Sequence, residues 1–478
     1  MEQLPEISGR GREVSAARER REPAFIAESD VDFPAIKSGF ANALHMHQPL
    51  VPEGGDDLRT ARVISHLQYM MEHQNIHDHH NAPVFRWCYK RMGEFIPRLV
   101  DEGYSPRIML DYSGCLLFGL QQMGADDVID ALRRITCDPR YRRCVEWLGT
   151  AWGHPVAPST PAQDFRLHVD AWQQHFLALF GEEALRRVRG FSPPEMALPN
   201  HPDVAFEFVR TIRQCGYEWV LVQEHSVELA GTGEGVRRPH VPHRLVARNS
   251  NGEVQEIVAI VKTQGSDTKL VAQMQPYYEA KGLSLQEVGG MPIPALVTQI
   301  GDGENGGVMM NDFPDKYLSV MAESSGSQVR PLNVSEYLEF LRRAGIDEGS
   351  LPAVQPLMQQ RIWDRAGERP GAERMAKAIE DLTREDDRFH MEGGSWTNNL
   401  SWVRGYDQLL GPMERVSARF AEKILQAGID TGETRYRNAL FHLLISQTSC
   451  YRYWGEGRWT DYGKEICRRA MEILENDF

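Results

Sequence analysis

The 478 residues contain no uninterrupted apolar run of the roughly 18 to 20 residues that a membrane span requires, and no apolar stretch follows the basic residues of the N-terminus. Membrane insertion and export are not expected, and a cytoplasmic protein is. Basic side chains are outnumbered, 53 Lys and Arg against 67 Asp and Glu, for a formal net charge of -14. Affinity for nucleic acid comes chiefly from Lys and Arg neutralising phosphates, so a nucleic-acid partner is not expected either. Cysteine is scarce: Cys88, Cys115, Cys137, Cys144, Cys215, Cys450 and Cys467 are odd in number and form no CxxC pair. That excludes a disulfide framework and a zinc knuckle, and reads as reduced, mostly buried thiols. Internal repeats and low-complexity linkers are also missing, so nothing points to a solenoid or a flexible tether.

What is present is an ordinary globular composition, 41% hydrophobic, 25% charged and 9% aromatic, with enough apolar side chains for an extensive core. Residues 1–35 are dense in Arg and Glu with little hydrophobic period, which reads as a solvated arm that turns partly helical where it packs on the body. From Gly39 onward, short apolar runs ending in polar or glycine-rich clusters alternate with stretches of helical period, as in βα units around a parallel sheet. The runs are 40–46, 107–112, 145–150, 187–191, 219–223, 257–261 and 295–300, and seven such strands suggest a barrel. After about Lys316 strand signals nearly vanish and helical periods take over at 334–344, 374–384, 406–428 and 435–447. The expected organisation is an arm (1–35), an α/β barrel (36–320) and a helical C-terminal domain (321–478) that completes the active-site cleft.

In a parallel barrel the strands' C-terminal ends face the site. Strand one ends in HMHQP, with His45 and His47 at alternate positions and Gln48 beside them. Strand three ends in GTAWGHP, carrying Trp152 and His154. Strand four runs into GFSPPEMALP, where two prolines restrict the backbone before Glu195. The last strand ends in QIGDGENGG, with Asp302 and Glu304 among glycines that let a ligand come close. The helical region adds GGSWTNNLSW and RYWGEGRWTDY, with Trp396, Trp454 and Trp459. Two carboxylates at such a mouth, accompanied by His, Asn and Trp, suit glycosidic-bond chemistry: one acid protonates the leaving oxygen while the other attacks or activates water. Tryptophan faces suit the apolar faces of sugar rings. His73, His77, His79 and His80 are spaced so that two could share a metal ion, but no carboxylate of recognised spacing accompanies them, and they read as a polar loop or helix cap. No metal and no cofactor are expected.

In this order, His47-Gln48-Pro49, Gly149 to His154, Pro194-Glu195, Asp302-Gly303-Glu304 and, most loosely, Trp396 to Trp402 resemble the motifs of glycoside hydrolase family 57, over roughly residues 38 to 478. The resemblance implies an incomplete (β/α)7 barrel with a C-terminal helical region, and a retaining mechanism on α-glucans without a metal. It also implies that Glu195 is the nucleophile and Asp302 the general acid/base. His47, Gln48, His154 and Glu304 would then contact substrate with the tryptophans 152, 396, 454 and 459, and His45 would stand behind them. The chain departs from the family's usual pattern in having Ser192 and Pro193 before the glutamate and Asn305, Gly306 and Gly307 after the acid segment. Hydrolysis and transfer to a sugar hydroxyl, as in a 4-α-glucanotransferase or branching enzyme, share the covalent intermediate and stay open. Alternatives of another kind are a metal-dependent polysaccharide deacetylase and a glycan-binding protein with impaired catalysis. Oligomeric state is left open.

Overall fold

All seven expected strands form: β1 (Ser38–Met46), β2 (Ile108–Tyr112), β3 (Val145–Gly149), β4 (Gly190–Phe191), β5 (Trp219–Gln223), β6 (Val254–Lys262) and β7 (Ala295–Asp302). The computed structural model describes residues 4–19, 23–53, 57–263, 271–304, 312–393, 407–453 and 457–478. Every residue of β1, β2, β3 and β5 is buried, as strands covered on both faces must be. The strands lie in the order β7-β1-β2-β3-β4-β5-β6, all parallel. The ring closes where Lys262 of β6 pairs with Thr298 of β7. The result is a seven-stranded barrel.

The two-residue period of the strands decides what fills it. Ala41, Ala43, Met109, Leu221, Ile260 and Ile300 belong to one buried cluster, that of the barrel interior. Their neighbours Phe40, Leu44, Leu110, Val222, Val261 and Val297 belong to a second, larger cluster shared with the surrounding helices. Continuing the inward series by one step on each strand brings His45, Asp111, Gln223, Lys262 and Asp302 to the C-terminal rim. The interior is therefore apolar at mid-height and polar at the mouth, the distribution a barrel enzyme needs.

The described helices include α1 (Gly11–Glu19), α2 (His66–Glu72), α3 (Gly114–Gln122), α4 (Ala162–Phe180), α5 (Val334–Arg343), α6 (Asp407–Phe420), α7 (Thr434–Ser446) and α8 (Arg458–Asn476). α5 closes the end of the barrel opposite the site. Its N-terminus carries a capping box between Asn333 and Glu336, and the buried carboxylate of Glu146 accepts from the Ser335 N–H at 3.2 Å, satisfying a further orphan donor. Ser335 in turn accepts the indole N–H of Trp219 at 3.0 Å. The strand Val329–Pro331, just before α5, pairs in parallel with β1, so this part of the C-terminal stretch is attached to the barrel sheet. α6, α7 and α8 pack on one another, and α7 delivers residues 446–449 to the barrel mouth.

The N-terminal arm is packed more firmly than its charge suggests. α1 lies against α4 and places the Arg18 guanidinium on Gln173 and on Asp170, the latter at 2.5 Å. The backbone N–H groups of Ala24, Phe25 and Ile26 all donate to the Glu339 carboxylate, and Asp30 pairs with the buried Arg107, which also holds Glu336. Its Arg and Glu residues serve as anchors because their partners are supplied by distant helices. Six of the seven cysteines are buried and Cys137 is exposed. Among the described residues no helix is long and apolar enough to cross a membrane.

Candidate active site

Glu195 sits in the short turn Pro194–Met196 that follows β4, with backbone angles φ 57° and ψ 17° in the left-handed region. Pro193 and Pro194 restrict the approach, and Met196 N–H and Ala197 N–H donate to their carbonyls at 2.9 and 3.0 Å. The side chain is 13% exposed. Its Oε1 accepts the hydroxyl of Ser449 at 3.0 Å and lies 3.7 Å from His154 Nδ1.

His154 also has a positive φ, 57°, which turns its ring inward from the loop after β3. Nδ1 meets Ser449 Oγ at 2.8 Å and Nε2 meets His45 Nε2 at 3.0 Å, so the buried His154, expected to contact substrate, has both ring nitrogens engaged by protein instead. His45, near the end of β1, is aligned with Asp111 of β2 on one side and with Asp302 of β7 on the other. Its Nδ1 lies 2.8 Å from Asp111 Oδ2. The His47 ring stacks on His154, 3.9 Å between centroids and 11° from parallel, while His47 Nδ1 is 2.7 Å from Ser113 Oγ. Thus Glu195 and the strand carrying Asp302 are joined through His154 and His45.

The acid segment is held from below. Glu304 Oε1 accepts from the His47 backbone N–H at 3.1 Å and from the Tyr89 hydroxyl at 3.2 Å, and the buried Arg91 donates to the Gly303 carbonyl at 3.1 Å. Gly303 packs on Met46, whose methyl would lie 2.0 Å from a Cβ there and would have to shift to admit one. Two buried polar atoms, His47 Nε2 and Glu304 Oε2, have no hydrogen-bond partner among the described residues. Asp111 Oδ1, also buried, is likewise unpartnered among the described residues.

Burial and mutual charge set the protonation states. Burial opposes a charge on His45, but Asp111, then Asp302 and Glu304, outweigh it and push the imidazole up to about 10, so it is a cation at neutral pH. Burial holds His47 and His154 well below the ordinary histidine value, and the positive His45 adds to the effect. Burial and the neighbouring Asp302 push Glu304 up to about 7. Lys262 is pulled down to about 8 by burial, against the attraction of Asp302.

Of the remaining residues expected from the sequence, Gln48 is buried, meets His66 Nδ1 through its Oε1 at 3.4 Å, and hydrogen-bonds Tyr89. Trp459, at the start of α8, is partly buried with its ring 5.0 Å from His66, and so flanks the Gln48 side of the mouth. Trp152 is a correction: it is wholly buried, its indole N–H donates to His175 at 3.0 Å, and it offers no face to a sugar. Trp396 and Trp454 lie outside the described residues. His73 and His79 turn their Nδ1 atoms to the carbonyls of Tyr69 and His73. Among the described residues no three His, Cys, Asp or Glu side chains are grouped to hold a metal ion.

Asp111, Ser113, Tyr89, Lys262 and Ser449 belong to the site although sequence reading passed over them. The first two follow from the same strand-end rule applied to β2, whose end reads Asp-Tyr-Ser. Lys262 is the corresponding last inward position of β6. Ser449 carries no local signal, because it lies in the helical region and reaches the site only through the packing of α7. There Ser449 N–H donates to the His154 carbonyl at 3.0 Å, Thr448 donates to the Gly153 carbonyl at 2.9 Å, and Gln447 bridges Asp164 and His168 of α4.

No protein-family model matches the chain, and no curated protein matches it in sequence. Solved structures do match in shape. The 4-α-glucanotransferase of Thermococcus litoralis aligns with a TM-score of 0.57 and 15% identity over 93% of this chain and 60% of that one. The α-amylase AmyC of Thermotoga maritima aligns at 0.53 and 9% identity, over 92% of this chain and 93% of that one. The exo-type maltose-forming amylase of Pyrococcus sp. ST04 aligns at 0.50 and 11% identity, over 92% and 80%. The chain spans about three-fifths of the length of the Thermococcus enzyme. At such identities the likeness is one of fold, and this chain shares its fold, over more than nine-tenths of its length, with a 4-α-glucanotransferase, an α-amylase and a maltose-forming amylase.

Proposed function

We propose that this protein is a glycoside hydrolase family 57-type enzyme that cleaves α-linked glucans with retention, Glu195 acting as nucleophile and Asp302 as general acid/base. One observation carries the reading: His45, which neighbours Asp302 in the sheet, contacts His154, and Ser449 links His154 to Glu195, at the polar mouth of a barrel with this fold. Asp302 protonates the glycosidic oxygen as a Glu195 oxygen attacks the anomeric carbon. The bond to the leaving sugar breaks, and a covalent glycosyl-enzyme forms. Asp302, now a base, takes a proton from water or from an incoming sugar hydroxyl, which attacks the same carbon and frees Glu195. Water makes the enzyme a hydrolase and a sugar hydroxyl makes it a transferase. His47 Nε2 and Glu304 Oε2, both unpartnered among the described residues, would bind sugar hydroxyls, with Gln48 and Trp459 to one side. The helical region completes the cleft by supplying Ser449.

Incubation with α-1,4 and α-1,6 glucans tests this. The first-formed products should carry the α-anomer by NMR, and Glu195→Gln should lower kcat by at least ~10²-fold while substrate still binds. Near-normal turnover in Glu195→Gln, or β-anomeric products, would sink the assignment. Activity abolished by a chelator and restored by a divalent ion would favour a metal-dependent hydrolase instead.

A further inference from the structure

Four hydrogen-bonded steps connect Asp111 on β2 to Glu195 after β4. Asp111 Oδ2 is 2.8 Å from His45 Nδ1, His45 Nε2 is 3.0 Å from His154 Nε2, His154 Nδ1 is 2.8 Å from Ser449 Oγ, and Ser449 Oγ is 3.0 Å from Glu195 Oε1. Two imidazole nitrogens facing each other need a proton on one and a lone pair on the other, so the row admits two proton orders. If His154 donated to His45, His154 Nδ1 would be a lone pair. It would take the Ser449 hydrogen and leave Glu195 facing a hydroxyl oxygen. If His45 donates, His154 accepts at Nε2, its proton sits on Nδ1 and points at Ser449, and the Ser449 hydrogen is left for Glu195.

The surroundings choose the second order. The His45 ring is faced by Asp111 from β2, by Asp302 and Glu304 from the end of β7 and by His154 from the loop after β3, with His47 two residues on. The Asp111 carboxylate, 2.8 Å from His45 Nδ1, makes this buried imidazole the member that carries the extra proton. Among the described residues, His154 and Ser449 face Glu195.

We propose that Asp111 and Ser449 are positioning residues for Glu195: Asp111 fixes the protonation of His45, His45 fixes the tautomer of His154, and Ser449 is thereby obliged to donate to Glu195. This deepens the reading of Glu195 as nucleophile and rests on it. The row keeps the carboxylate ionised and in one orientation before substrate arrives, without touching substrate itself.

Ser449→Ala should lower kcat ~10- to 100-fold with KM little changed, the range for a hydrogen bond to a charged group. The acid limb of the kcat/KM profile should move up by about one pH unit, because a carboxylate that loses a donor is harder to ionise. Ser449→Thr, which keeps the hydroxyl, should recover most of the rate. Asp111→Ala should show the same signature, and the double variant should be no worse than the weaker single variant, as for residues acting in series. An unmoved acid limb in Ser449→Ala, or losses that multiply in the double variant, would overturn the proposal. Histidine 15N resonances of the unmodified protein, assigned with His45→Gln and His154→Gln, read the order without turnover. His45 should be doubly protonated at neutral pH and His154 protonated on Nδ1 alone; a His154 proton on Nε2 overturns the proposal even if Asp111→Ala fails to fold. Glu195→Gly supplied with azide and an aryl α-maltoside separates the two claims. A β-glycosyl azide product supports the nucleophile whatever Ser449→Ala does, and no such product removes the nucleophile reading itself.

Discussion

Three side chains at the mouth hold backbone angles that L-residues seldom adopt: His154, Glu195 and Met196 have φ values of 57°, 57° and 49°. Each costs roughly 1–2 kcal/mol relative to ordinary backbone. The cost is met by surroundings that leave no alternative, two prolines before Glu195 and the Ser449 bridge across to His154. Glu304 shows the same economy in electrostatics. Its carboxyl is buried beside Asp302 and is pushed from an ordinary 4.5 up to about 7. A group whose folded-state value is raised stabilises most below the unfolded value, and that contribution is lost as pH rises through the folded one. Glu304→Gln should therefore raise the Tm at pH values above about 7 and leave it nearly unchanged below about 4.5. An equal shift at both ends, followed by calorimetry, would show that the carboxyl is not perturbed in this way.

At the scale of elements, the joint between α7 and the loop after β3 matters most. Residues 446–449 form a strap whose backbone and side chains bond Gly153, His154 and α4, and Gly153 lies tight against α7. A Cβ at Gly153 would lie 2.3 Å from the Leu444 carbonyl oxygen and 2.6 Å from the His168 ring. Backbone cannot yield as a flexible side chain does, so Gly153→Ala should cost about 1–3 kcal/mol in denaturant unfolding. It should also lower kcat by pushing Ser449 away from Glu195. Full activity in a destabilised Gly153→Ala protein would mean that the strap's position is unimportant to turnover.

For the whole molecule, the buried titratable groups predict how stability varies with pH. His168 and His175 are pulled down to about 3, and His66 and His442 to about 4, chiefly by burial. Depressed histidines stay neutral in the fold but take protons when unfolded, so stability present above the ordinary 6.5 is lost as pH falls toward 4. Glu304, Glu146 (pushed up to about 8, chiefly by burial) and His45 work the other way, losing stability as pH rises. With His47, His154, His201 and His243 also depressed, the histidines outweigh the two glutamates below 6.5, and between 6.5 and 8, below the range in which Lys262 titrates, the raised groups decide the slope. Thermal scans should show a Tm maximum near pH 6.5, with a steeper acid side. A Tm still rising from pH 6.5 to 8 would contradict the balance. The same long-range contacts separate what could be read in the chain from what could not. The seven strands, their order along the sequence, and Glu195, Asp302, His45, His47 and His154 at strand ends were legible, because burial with a two-residue period is written locally and a parallel barrel gathers its strand ends at one face. Asp111 was legible by the same rule. Ser449, the burial of Trp152 and the docking of the Arg- and Glu-rich arm were not, since each depends on which surface of another element meets it. A serine in a helical stretch, a tryptophan after a strand and an arginine in an arm look alike whether they meet solvent, substrate or protein. Only tertiary packing supplies the partner, and the partner decides the role.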